Sequence, residues 1–200
     1  GYWGSLNKCD LPIQSFQLFL KEVGELKPDL IIWTGDNTPH DIWQQSQSYN
    51  LNFTVMLTEK LSRASNAKII AAMGNHESFP VNVYDYQGDR ERTLNGGLAE
   101  AWKPWLSPQA YDMLRTRGYY ATTVPEFNNL KVISVNTQAQ NDENWFNLRD
   151  PTDPGGMLSW IEQELKASEA AGQFVYIIGH IPPASAMNDW AMRFNALTER

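Results

Sequence analysis

Among 200 residues there are only three histidines and one cysteine. The single cysteine, Cys9, excludes a disulfide closed within this sequence; it is a buried thiol or half of a pair completed elsewhere. Long apolar runs are also missing, none approaching the ~20 residues a membrane-spanning helix needs. Positive charge is scarce: 16 Lys and Arg stand against 23 Asp and Glu, a net charge of −7. That balance excludes a general nucleic-acid binder, which needs cations against the phosphate backbone. It leaves room for a small phosphate-handling site whose positive charge comes from a metal. There is no repeat, no low-complexity tract and no linker. Gly1 in place of an initiator Met and the abrupt "NALTER" lead us to expect a segment of a longer chain.

The residues present suit one domain over 1–200. Apolar residues make up 42%, and eight Trp, eight Tyr and eight Phe are enough to fill a core. Apolar spacing predicts a helix over 12–26 after Pro12, a second over 41–64, and a third over 97–116 interrupted at Pro104 and Pro108. Another covers 153–172 and stops at Gly172. "DLIIWT", "AKIIAAM" and "QFVYIIGH" read as buried strands, and "GYYATTV" and "LKVISVN" as a hairpin. Residues 78–95 read as a long loop. Strands alternating with helices, plus one hairpin, predict an α/β fold with a mixed sheet. "NFT" at Asn52 is an N-glycosylation acceptor pattern of a kind common by chance.

Three of the strands end alike. "LIIWTGD", "IIAAMGN" and "VYIIGH" each run into a Gly and then a polar residue, and each histidine, His40, His76 or His180, comes just after one of these runs. In open α/β sheets ligands bind beyond the carboxyl ends of the strands, so Asp36, Asn75 and His180 are expected to converge in one crevice. A carboxylate, an amide oxygen and an imidazole are metal-site chemistry. Singly, each has an ordinary reading: a turn, a helix cap, an incidental imidazole. The three in order, using every histidine, read as a site.

The stretches "WGSLNKCDLP", "WTGDNTPHDIW", "GNHESFPVN", "AWKPWL", "PTDPGG" and "IIGHIPP" carry the resemblance further. From Trp3 to about Trp190 the chain resembles the acid sphingomyelinase family of calcineurin-like metallophosphoesterases. The resemblance implies an α-β-β-α sandwich and two zinc ions, with Asp36 bridging them and Asn75 and His180 as ligands of one. It implies that His76 and His40 contact the scissile phosphate and help the leaving alkoxide depart. It also implies further motifs, Asp-x-His before residue 1 and Gly-His-x-His after residue 200. The first and last motif-bearing segments of the fold would then lie outside this sequence. Cys9 would pair upstream, while a second cysteine pair of relatives, near Gln140 and Ala186, has no counterpart here.

The expected activity is zinc-dependent hydrolysis of sphingomyelin to ceramide and phosphocholine, with a membrane surface as a contact and a secreted or lysosomal setting. One alternative is a related phosphodiesterase acting on nucleotides or other small phosphodiesters; another is an inactive binding domain. Glu77 either orients His76 or is a solvated acid at a helix start. Asp41 is expected to cap a helix. Tyr84, Tyr86, Trp102 and Trp105 are expected in the core rather than along the cleft.

Overall fold

The computed structural model describes residues 2–5, 9–88, 90–183 and 189–199; Lys8 of "KCDLP" and Ala186 lie outside them. Helix α1 (Ile13–Leu26) begins after Pro12 and ends where Lys27 turns left-handed in front of Pro28, the two places where proline's fixed φ and missing N–H do no harm. Strand β1 (Leu30–Trp33) comes next. The apolar pattern over 41–64 is not one helix. A single 3-10 turn covers Ile42–Gln44, and α2 (Gln47–Ala64) then starts from Ser46, whose hydroxyl accepts the Tyr49 N–H at 3.2 Å. Asp41 makes no capping hydrogen bond; its carboxylate takes the Gln45 amide at 3.0 Å. Helix α2 crosses over to β2 (Lys68–Ala71), which lies parallel to β1 with Ile31 beside Ile69.

The segment expected as loop ends in a helix, α3 (Arg90–Ala101). Its apolar anchors are sparse, but Leu94 and Leu98 stand four apart on one face and both are buried. Pro104 and Pro108 split the rest of the expected 97–116 helix into a 3-10 turn and α4 (Pro108–Arg117), capped by Ser107 and closed by left-handed Gly118. The expected hairpin is β3 (Tyr120–Val124) with β4 (Leu130–Ser134). Helix α5 (Met157–Ala170) stops just before Gly172, whose φ is +63. Strand β5 (Val175–Ile178) then pairs parallel to β4, and α6 (Asp189–Thr198) is the last helix in chain order.

The strands form two sheets, a parallel pair β1-β2 and a mixed triplet β3-β4-β5. Ala71, at the end of β2, joins them: its carbonyl accepts from Tyr120 Oη at 2.7 Å and Ser134 Oγ at 2.8 Å. Strand β4 is buried on both faces, because neighbouring residues point to opposite sides. Val132 packs with Ile70, Leu98 and Trp102; Ile133 packs with Met157, Ile161 and Trp190 under α5 and α6. Strands β1 and β5 are half-buried rather than buried. Among the described strands each pairs on one side only, and Ile32 and Tyr176 stay 42% and 54% exposed. The aromatic expectations hold for the core: Tyr84 and Trp102 are buried, and Tyr86 and Trp105 pack against the same cluster.

Candidate active site

Parallel pairing of β1 and β2 brings the loops at their carboxyl ends side by side. Gly35 turns left-handed at φ +86, and a Cβ there would lie 2.3 Å from the Gly74 nitrogen. A Cβ on Gly74 would in turn lie 2.3 Å from Asp36 Oδ1. The two glycines therefore stand back to back, and only residues without a side chain permit it. Gly179 obeys the same rule of close approach, since a Cβ there would lie 2.6 Å from Thr137 Cγ2. Of the three, Gly35 alone also has a positive φ.

Next to this seam sits Asp36, itself left-handed at φ +59, a conformation that costs a side-chain-bearing residue about 1–2 kcal/mol. Its hydrogen bonds hold it there. The main-chain N–H donates to Glu77 Oε2 at 3.1 Å, and Oδ1 accepts the His76 N–H at 3.0 Å. Glu77 is neither solvated nor a partner of the His76 ring. It is fully buried, and its two oxygens also accept the N–H groups of Asn37 at 2.7 Å and Gly74 at 2.6 Å. One carboxylate thus ties the β1 loop to the β2 loop. Burial pushes its pKa up, against the pull of those three N–H donors.

Three of the expected site residues converge. His180 Nε2 lies 3.1 Å from Asp36 Oδ2 and 3.0 Å from Asn75 Oδ1, while its Nδ1 lies 2.8 Å from the Thr34 carbonyl. A carbonyl only accepts, so Nδ1 carries a proton and Nε2 is the atom presented to the two oxygens. With no metal, a proton on Nε2 must bridge them; the Asp36 hydrogen bond accordingly raises the His180 pKa, against burial. Asp36 is pushed up by burial, but the His180 hydrogen bond and the His76 N–H outweigh that and leave it below its ordinary value. Two oxygens and an imidazole nitrogen facing one another are a donor set that a divalent cation satisfies better than a shared proton. Among the described residues no group of three or more His, Cys, Asp or Glu side chains gathers as a metal site; here the third donor is the Asn75 amide.

The orientation of that amide is fixed from behind. Asn75 Nδ2 donates to Asn82 Oδ1 at 2.8 Å, which also accepts from Asn141 at 3.0 Å, while the Asn82 amide nitrogen donates to Glu143. Glu143 can only accept, so the relay leaves Asn75 Oδ1 facing His180.

His40 and His76 lie beside this cluster with ring centroids 4.4 Å apart. His76 is buried, and its Nδ1 has no hydrogen-bond partner among the described residues. Burial depresses its pKa, and His40 and His180 add to that effect against Asp36, so the ring is neutral near pH 7. Its carbonyl is pinned by Thr38 Oγ1 at 3.1 Å and Asn50 Nδ2 at 3.0 Å. His40 is the exposed member, and its partner is Asp10, which lies in the "WGSLNKCDLP" stretch but has no role expected of it from the sequence. A cleft of about 440 Å³ opens from Asp36 and His40 along Leu11, Phe16, Phe53 and Met56. A larger cavity of about 580 Å³, between α5 and α6, is lined by none of the expected site residues.

Two surface expectations fare differently. Cys9 is exposed and forms no disulfide among the described residues. Asn52 lies within α2, and the Thr54 of its tripeptide is buried, its hydroxyl donating to the Asn50 carbonyl at 3.1 Å. The acceptor pattern therefore sits in a helix and not in the surface loop it normally marks.

Comparison with known proteins gives a match of residues 12–197 to calcineurin-like phosphoesterase. The chain is 38% identical over its whole length to sphingomyelin phosphodiesterase of Bos taurus and 36% identical to that of Homo sapiens. It is 32% identical, over 92% of its length, to acid sphingomyelinase-like phosphodiesterase 3b of Mus musculus. The chain spans about a third of the two sphingomyelin phosphodiesterases, 33% and 32%, and 40% of the third relative.

Proposed function

The chain belongs to the calcineurin-like phosphoesterase family, and from that premise we propose that it is catalytic-domain sequence of a zinc-dependent phosphodiesterase that cleaves sphingomyelin to ceramide and phosphocholine. The observation that carries the reading is the approach of His180 Nε2 to both Asp36 Oδ2, at 3.1 Å, and Asn75 Oδ1, at 3.0 Å. These residues would hold the metal. Bound there, a divalent ion supplies Lewis-acid polarisation of the phosphoryl group and a water of lowered pKa.

The remaining work falls to this chain's histidines. In the hydrolysis a water oxygen bonds to phosphorus and gives up a proton, the bond from phosphorus to the ceramide oxygen breaks, and that oxygen takes up a proton. His76, its pKa lowered by burial and its Nδ1 enclosed, would hydrogen-bond the phosphate through its other ring nitrogen. His40, exposed at the mouth of the cleft, gives the leaving oxygen its proton, a step that a positioned acid typically accelerates about 10²–10⁴-fold.

The apolar wall of the cleft favours a lipid over a nucleotide as substrate, because it offers an aliphatic chain a place to leave water beside the phosphate site. A secreted or lysosomal setting belongs to the same proposal. The full protein, loaded with zinc, is to be assayed against sphingomyelin and ATP. The reading predicts zinc-dependent release of phosphocholine. Zinc-dependent turnover of ATP alone would move the assignment to the nucleotide alternative, and turnover of neither would leave a binding domain.

A further inference from the structure

His40 is held by a single side chain at two points. Asp10 Oδ1 lies 2.6 Å from the His40 ring Nδ1, and Asp10 Oδ2 accepts the His40 main-chain N–H at 2.9 Å. Thirty residues separate the two positions, so this is a tertiary contact and not the local geometry of a turn. Both bonds go to one residue, which fixes the position of the loop and the rotation of its ring together. We infer that Asp10 is the positioning residue of His40: it holds the Nδ1 proton and turns Nε2 toward the phosphodiester, so that the imidazolium gives its second proton from Nε2 and the neutral ring left behind is the Nδ1–H tautomer.

An ionised carboxylate only accepts hydrogen bonds, and the His40 main-chain and ring bonds keep the Asp10 carboxyl below its ordinary value against slight burial. A proton must therefore sit on Nδ1, and it is the second proton of the imidazolium, on Nε2, that faces the substrate, as with other histidines whose second nitrogen is fixed by a carboxylate. The need for a clasp is plain from the surroundings. The His40 side chain is 73% exposed, so packing does not restrain it, and its other ring neighbour, His76, meets it by an edge contact with no hydrogen bond between the rings. Without Asp10 no contact among the described residues would choose between its tautomers.

This role for Asp10 deepens the proposed reading and rests on it for the reaction, but part of its test does not. In the full protein, zinc-loaded, Asp10→Asn should lower kcat about 10–100-fold with little change in KM, the usual cost of losing an orienting partner. Asp10→Glu should recover part of the loss. In a His40→Ala background Asp10→Asn should cost nothing more, because the two residues act as a unit. Separately, ¹⁵N spectra taken at a pH where the His40 ring is neutral should place its one proton on Nδ1 in the parent and shift population to the Nε2–H form in Asp10→Asn.

An undiminished effect of Asp10→Asn without His40, or an unchanged tautomer ratio in a folded variant, would overturn the inference. If Asp10→Asn does not fold, the tautomer in the parent and in Asp10→Glu decides: Nε2–H in either would overturn it. Full activity of His40→Ala would remove the proton-donor assignment, and the catalytic part of the inference with it. A shift of tautomer in Asp10→Asn would still mark the clasp as real.

Discussion

Of the single residues, His180 has the most informative titration. In the metal-free protein its imidazolium bridges Asp36 and Asn75, and its pKa is raised above the ordinary value of 6.5. A raised folded-state pKa means the stabilisation is fully present below the unfolded pKa and is lost as pH rises through the folded one. Metal-free protein should therefore lose thermal stability as pH rises above about 6.5, whereas zinc, by replacing the proton, should flatten that loss. Melting curves with and without zinc at several pH values check this; a metal-free protein that stabilises with rising pH would contradict it. Asn82 offers a second test. Asn82→Gly keeps the left-handed backbone, φ +65, but removes the acceptor for Asn75 Nδ2, and should weaken zinc binding about 10–100-fold by competition titration with a chromophoric chelator.

Between elements, the clamp across the two Gly loops matters most. Glu77→Ala would leave buried N–H groups of Asp36, Asn37 and Gly74 without their acceptor. The cost should be about 3 kcal/mol, or a fall in Tm of roughly 6–12 °C for a chain of this size, and a Tm within a degree of the parent would show the clamp to be idle. The sequence reveals the strands, the hairpin, and the order Asp36, Asn75, His180, since each comes after an apolar run that ends in a Gly. It does not reveal what depends on folding. Asp10 reaches His40 across thirty residues, Asn82 and Glu143 meet across 61, and neither contact has a periodicity to betray it. Helix α3 is hidden for a different reason: most of its residues are polar, and two leucines do not make a stripe. Glu77 has the sequence context of a solvated acid, after a His in a polar stretch, yet it caps two loops from inside.

For the whole chain, the net charge of −7 and the apolar cleft make different demands on a substrate. The charge does not attract an anionic ligand, so on the proposed function local metal charge would hold the phosphate and the cleft would hold the rest. Met56→Asp places a carboxylate on the cleft wall. It should raise KM for sphingomyelin about tenfold, the penalty of losing roughly 1.4 kcal/mol of apolar contact, while leaving turnover of bis(p-nitrophenyl) phosphate within twofold. Equal losses on both substrates would mean the cleft does not discriminate. The described residues include no helix long and apolar enough to cross a membrane.

The proposed chemistry stands or falls on the division of labour between the histidines, which metal content reads out. Zinc bound per protein is to be measured in the full protein carrying His180→Ala or His40→Ala, alongside sphingomyelin turnover. His180→Ala should lose zinc and activity together, while His40→Ala should keep its zinc and lose about 10²-fold or more in kcat. Loss of zinc from His40→Ala, or full zinc in His180→Ala, would contradict that division.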